Sequence, residues 1–183
     1  CNPNQLKECK SIISNNKITI IESKLDDSWM RDIAPIFYKE HNKLKTASFN
    51  FNGYGKYPNF DNDNKISEII SRQFKLNSTQ IDMTLEGGAI TYDDEGNFFT
   101  TESVLLNPNR GNTNKELINR RLIDLFDLKK IIWFPDGLKE DDTDGHVDNI
   151  FAPVGNNKYL LASCNQEDNN NFKVLNQCKS ILE

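Results

Sequence analysis

The stretch IDMTLEGGAITYDDEGNFFTT, residues 81–101, holds one full turn of the pattern on which the chain is built. Ile81 to Leu85 reads as an apolar strand, Glu86-Gly87-Gly88 as an acidic loop, and Asp93 to Gly96 as the turn of a hairpin. Leu117, Ile118, Leu122 and Leu125 then mark an amphipathic helix.

The same order of strand, acidic loop, hairpin and helix recurs on both sides. Upstream, Ile18 to Ile21 is a predicted strand, Asp26 to Asp32 a polar loop, and Ile36 to Tyr38 pairs with Ala47 to Phe51. The helix that follows carries Ile66, Ile69, Ile70 and Phe74 on one face. Downstream, Ile131 to Phe134 leads into the long loop Asp136 to Gly145, Val147 to Val154 returns through Gly155-Asn156-Asn157 as Tyr159 to Ala162, and a helix from Phe172 to Glu183 closes the unit. Leu6, Cys9, Ile12 and Ile13 read as the closing helix of an earlier unit, so the array is expected to be open at both ends. Cys1 stands where an initiator Met is expected, and both termini read as cut, which leaves any targeting segment outside the reading. Asn-rich tracts such as Asn169-Asn170-Asn171 fall in predicted loops and helix starts, where Asn caps well.

With 183 residues, 37% hydrophobic and 27% charged, the chain is long enough to bury a sizeable core. A formal charge of -5 with no Lys/Arg-rich face argues against a nucleic-acid partner and suits a small cation better. No apolar run approaches the roughly 20 residues that span a bilayer, so no membrane partner is expected. Cys1, Cys9, Cys164 and Cys178 lie far apart without a C-x-x-C pair, which points to free thiols and not to zinc or a disulfide framework.

The loop acids recur at a similar station, Asp32, Glu86 and Asp148, and equivalent loops packed about a common axis would bring them together. His146 and Asp148 are expected on one face of a strand, where nearby negative charge favours the protonated imidazole suited to acid/base work. His-x-Asp is also a metal-ligand spacing, and an all-carboxylate magnesium or calcium site competes with that reading. The only other histidine, His41, falls in a predicted hairpin turn. In the first loop, Trp29 could stack on a cation that neighbouring acids bind. Serine-hydrolase, P-loop and dinucleotide motifs are absent.

Taken in order, five segments resemble agmatine deiminases of the guanidine-modifying pentein superfamily, which also holds the bacterial-type peptidylarginine deiminases. They are Asp27-Ser28-Trp29-Met30-Arg31-Asp32 with Ala34-Pro35, Phe49-Asn50-Phe51-Asn52-Gly53 with Lys56-Tyr57-Pro58, Leu85-Glu86-Gly87-Gly88, Thr100-Thr101-Glu102 through Leu106-Asn107-Pro108-Asn109-Arg110, and Asp144-Gly145-His146-Val147-Asp148-Asn149. The resemblance implies an α/β fold, a pentein-type propeller of which about three of five β-β-α-β modules are present, forming a single partial catalytic domain over residues 1–183. Two departures stand out: Asp144 where Asn is usual, and Tyr54 as the aromatic of the Gly53-Tyr54-Gly55-Lys56 segment, both bearing on pocket shape.

By resemblance, Asp32 and Asp148 clamp a guanidinium, His146 is the general acid/base and Glu86 orients it, while Asp142 reads the distal amine and Trp29 lines the pocket. The nucleophile is a cysteine in a Gly-rich segment that these residues do not include, and neither Cys164 nor Cys178 has its surroundings. No organic cofactor or metal is implied, because the covalent cysteine does the work of a metal-bound water. The implied reaction is hydrolysis of agmatine to N-carbamoylputrescine and ammonia through a thiouronium, within putrescine and polyamine metabolism. Family habit further implies a cytoplasmic homo-oligomer. The alternatives are a peptidylarginine deiminase and a non-catalytic fragment that only binds guanidines. Residues 1–183 alone are expected to be inactive, poorly stable and prone to associate through open sheet edges.

Overall fold

Among the described residues three hairpins set the architecture, and each is followed by a helix. The computed structural model describes residues 1–15, 17–167 and 169–183. Helix α1 (Leu6–Ile12) and an irregular stretch precede the single helical turn α2 (Met30–Ile33). Strands β1 (Ile36–Glu40) and β2 (Lys43–Asn50) then pair antiparallel with Ile36 opposite Ala47. His41 and Asn42 turn the hairpin, both with positive φ, the hand that matches strand twist in a two-residue turn.

Helix α3 (Ile66–Gln73) crosses over this sheet, and β3 (Asn77–Thr84) returns parallel to β2. The second unit repeats the path: β4 (Ile90–Tyr92) and β5 (Asn97–Thr101) antiparallel, the short α4 (Glu102–Leu105), the long α5 (Lys115–Phe126), then β6 (Lys130–Phe134) parallel to β5. The third has the hairpin β7 (Phe151–Pro153) and β8 (Tyr159–Leu161), followed by α6 (Phe172–Leu182). Each structural unit therefore begins at its hairpin. The strand expected to open the next unit instead completes the sheet before it, because parallel pairing needs a helical crossover.

Some sequence expectations shift accordingly. Ile18–Ile21 forms no strand; its backbone is tied to the N-terminus, with the Cys1 ammonium donating to Ile21 O at 2.7 Å and Ser23 N donating to Cys1 O at 3.0 Å. Phe74 leaves the α3 face and is exposed, because the helix ends at Gln73 and Lys75 takes a positive φ. Leu117 is exposed as well. Ile118, Leu122 and Leu125 already define the buried stripe of α5, and Leu117 lies about 100° from it. Residues 147–149 form a 3-10 turn, and the strand begins only at Phe151, opposite Leu161, the last residue of its antiparallel partner. Asn171 makes no side-chain cap on α6; its amide oxygen accepts from Lys139 N instead.

Among the described residues apolar side chains gather in three clusters. The largest joins the first two units, with Ala47, Phe49 and Met83 packed against Ile90, Phe98, Leu105, Ile118 and Leu122. Phe99, Phe134, Phe151 and Leu175 form the second, with the Phe99 and Phe151 rings 4.4 Å apart. Ile33, Phe51, Tyr54 and Ile66 form the third, beneath the first acidic loop. Each fully buried side chain of this size contributes roughly 1.5–3 kcal/mol. Among the described residues no helix is long and apolar enough to cross a membrane.

Candidate active site

The 26–29 loop is held from below by Asp63, a buried carboxylate that accepts from Asp26 N at 2.9 Å and Asp27 N at 3.0 Å. Trp29 O then accepts from Asp32 N and Ile33 N, which closes the one-turn helix α2 and directs Asp32 inward. Its carboxylate is gripped from two sides. Tyr54 donates its hydroxyl to Oδ2 at 2.8 Å, and Gly88 N donates to Oδ1 at 2.8 Å.

Leu85-Glu86-Gly87-Gly88 follows β3 and needs both glycines for close approach. A Cβ on Gly87 would lie 2.0 Å from Arg31 O. A Cβ on Gly88 would lie 2.4 Å from His146 Nδ1, 2.8 Å from Asp32 Oδ1 and 2.9 Å from Asp148 Oδ2. Three polar groups from two other loops thus converge on one point, and only the absent side chain leaves them room.

His146 starts the 3-10 turn Val147–Asn149, so it and Asp148 are not strand neighbours as expected. The turn is organised by Asp141, whose Oδ2 accepts from Gly145 N and His146 N, both at 3.0 Å, and from the Thr143 hydroxyl. These donors hold the Asp141 carboxyl below its ordinary range against the opposing cost of burial. His146 is 3% exposed, with Nδ1 3.7 Å from Asp32 Oδ1 and Nε2 4.0 Å from Glu86 Oε2.

Glu86 is fully buried, behind the imidazole, and its Oε1 accepts from Arg110 Nε at 2.8 Å. Arg110, also buried, pairs on its other side with Asp144, which in turn meets Lys56 Nζ at 2.7 Å. Asp144 has a φ of 66°, a conformation Asn and Asp tolerate best among non-glycine residues, so a positive φ accommodates either residue here. As Asp it adds a charge that joins Lys56 to Arg110. Lys56 also donates to Asp142 O at 2.6 Å and so pins the loop at the site's mouth.

A cavity of about 480 Å³ is lined by Trp29, Asp32, Tyr54, Tyr57, Asp142 and His146, with Asp148 and Arg31 beside them. Five of the six residues singled out from sequence therefore border one space, and the sixth, Glu86, stands behind His146. Trp29 is 58% exposed at the mouth. Asp148 Oδ2 lies 3.4 Å from Arg31 Nε, so a guanidinium of the protein itself already rests beside this acid.

Burial dominates the electrostatics. It pulls His146 down to about 4, overriding the pull of Asp32 and Asp141, so the resting imidazole is neutral near pH 7 and not protonated as the acidic surroundings suggested. Burial lifts Asp148 to about 6, with Asp32 and Asp141 adding to the rise and Arg31 opposing it. Glu86 is also raised by burial, with Arg110 working against it.

None of the four cysteines borders the cavity. Cys178 is buried on α6, and burial raises its thiol to about 11, so it packs as a core residue. Among the described residues no group of three His, Cys, Asp or Glu side chains is disposed to hold a metal ion. Sequence reasoning assigned no role to Arg110, Asp141 or Lys56, and none to the Tyr54 hydroxyl. Arg110 and Lys56 do lie in the quoted segments, and a lone Arg closing Asn107-Pro108-Asn109 was the available signal.

The whole chain, residues 1–183, matches the family model of the Porphyromonas-type peptidyl-arginine deiminases. An agmatine deiminase of Pseudomonas syringae pv. tomato is 33% identical over 98% of this chain and 51% of its own length. Among solved structures, the C. jejuni agmatine deiminase with substrate bound superposes with a TM-score of 0.88 at 30% identity, covering 96% of this chain and 54% of that one. The agmatine deiminase of Enterococcus faecalis gives 0.90 at 25% identity, covering 98% and 51%. The fold shared with these proteins is the α/β pentein type, and the three small sheets are part of its propeller. The chain spans about half the length of the curated relatives it matches.

Proposed function

The chain belongs to the Porphyromonas-type peptidyl-arginine deiminase family, and from that premise we propose that it carries the guanidinium-binding and acid/base part of an agmatine deiminase. The observation that carries the reading is the meeting of Asp32, His146 and Asp148 around Gly88. A guanidinium is flat, permanently charged and rich in N–H donors, so carboxylates beside it can hold it and fix its central carbon.

In this reading Asp32, immobilised by Tyr54 and Gly88, and Asp148 take the guanidinium. The nucleophile is a cysteine from outside residues 1–183, a thiol that becomes the attacking thiolate as its proton is taken. Neutral His146 takes the thiol proton as sulfur bonds to the guanidinium carbon, and returns it to the departing nitrogen, which leaves as ammonia. The imidazole then accepts a proton from the water that attacks the thiouronium and gives it to the departing sulfur as the C–S bond breaks; the hydroxyl proton passes to the released ammonia, and the product is N-carbamoylputrescine, a precursor of putrescine. The Glu86 carboxylate stabilises the imidazolium formed at each transfer.

Asp142 and Trp29 at the mouth favour a small amine over a peptide, since a carboxylate beside an aromatic face suits a distal ammonium. The test is ammonia release by the intact enzyme from agmatine and from a peptidyl arginine, with Asp142→Asn as the discriminating variant. Turnover of agmatine, with KM raised in Asp142→Asn, supports the proposal. Turnover of only the peptide, indifferent to Asp142→Asn, replaces it with peptidylarginine deimination. Guanidine binding without turnover leaves a binding module.

A further inference from the structure

We propose that Arg110 is a positioning residue for the acid/base pair: it engages one oxygen of Glu86 and leaves the other aimed at Nε2 of His146. The proposal deepens the deiminase reading and rests on it for the chemistry, while its test needs no turnover.

An arginine that serves only to neutralise a carboxylate commonly embraces both oxygens with two parallel N–H bonds. Arg110 does not. Its Nε donates to Glu86 Oε1 at 2.8 Å, Nη1 donates to Tyr54 O at 3.0 Å, to Asn109 Oδ1 at 2.8 Å and to the Asp144 carboxylate, and Nη2 donates to Thr143 O at 2.9 Å. The rest of the guanidinium is thus committed to the 54, 109 and 143–144 loops, and Oε2 is left over. Among the described residues nothing bonds to Oε2, and nothing bonds to His146 Nε2, the atom it faces at 4.0 Å, although both are buried.

Two orphaned buried polar atoms in one wall cost stability, and their mutual placement gives the cost a purpose. When the imidazole takes a proton, Nε2–H meets a carboxylate oxygen that no other donor competes for. That requires Glu86 to be ionised in a site whose burial favours the neutral acid. Among the described residues the charged or titratable groups around it are Arg110, His146, Asp32 and Tyr54, and Arg110 is the permanent cation among them. The same guanidinium ties the loops of Glu86, Tyr54 and Asp144 together, so register and charge are set by one residue.

A purely structural bolt would change stability without moving the titration of Glu86, and this separates the two roles. In the full chain, labelled with 13C, the Glu86 side-chain carboxyl resonance is assigned by its loss in Glu86→Gln and followed against pH. Wild type is expected ionised at neutral pH. Arg110→Met is expected to raise the Glu86 midpoint by about 1–3 pH units, and Arg110→Lys, which returns charge without the fork, by less. Circular dichroism reports which variants fold. A folded Arg110→Met, or Arg110→Lys if only that one folds, that titrates Glu86 at the wild-type midpoint overturns the proposal. If neither folds, wild type decides: Glu86 ionised at neutral pH supports it, and Glu86 protonated there overturns it. Because no substrate is used, failure here leaves the agmatine assay unaffected, and failure of that assay leaves this titration standing.

Discussion

The Tyr54 hydroxyl donates to Asp32 Oδ2 at 2.8 Å, so an aromatic residue after β2 sets the orientation of an acid on α2. Gly88 N holds only Oδ1, which leaves the hydroxyl as the second point that stops the carboxylate from rotating. Burial beside this acid pushes the phenol far above its ordinary range, so it stays a donor at every working pH.

Tyr54→Phe should therefore lower stability by about 1.5–3 kcal/mol, the scale of a hydrogen bond to a charged group. Guanidine affinity should fall by about tenfold at most, while Asp32→Asn, which removes the charge, should cost more. Urea melts and calorimetric titration with agmatine check both. Equal losses in the two variants would mean that Tyr54 does more than orient Asp32.

Agmatine binding should weaken as pH falls through about 6, because burial raises the Asp148 carboxyl to that value and a cation needs its ionised form. Arg31 opposes the rise, so Arg31→Met should move the inflection upward. Asp148→Asn should bind weakly at all pH values with the inflection gone. Calorimetry across about pH 5 to pH 8 reads the inflection directly, and an unchanged inflection in Asp148→Asn assigns it to another group.

His146 makes a separate contribution to stability. Its folded value of about 4 lies below the ordinary 6.5, so folding favours the neutral ring. The stability it allows is fully present above about 6.5 and is lost as pH falls through about 4, by roughly 3 kcal/mol at the limit. Protonation of Asp148 works in the opposite sense over much of the same window, since its raised value favours the folded state on the acid side. The clean measurement is the difference in unfolding free energy between wild type and His146→Asn at each pH. That difference should shrink as the solution is acidified, and a difference that stays flat would place the neutral imidazole outside this linkage.

Much of the fold was legible locally. Alternation and turn residues located the hairpins, because side-chain period and turn chemistry act over a few residues, but not the register: Ile36 to Tyr38 was expected against Ala47 to Phe51, and they lie opposite Ala47, Thr46 and Lys45. Ile18–Ile21 misled for the complementary reason: an apolar run becomes a strand only where another strand offers an edge, and here Cys1 takes its backbone instead. Phe74 and Leu117 had plausible helical spacing, yet where α3 stops and which way α5 rolls are decided by what lies against them. In the site, repetition alone placed Asp32, Glu86 and Asp148 at equivalent stations, and the structure puts all three near His146.

What the amino-acid order determined by itself was the repeat, the elements within it and the set of acids and histidine offered to one centre. Tertiary structure alone decided that the imidazole rests neutral, that Tyr54 holds Asp32, and that Arg110 spends one bond on Glu86 and the rest on three loops. The physical reason is range. Propensity and periodicity act between neighbours in the chain, whereas desolvation and buried ion pairing depend on residues more than twenty positions apart that meet only once the loops have closed on each other.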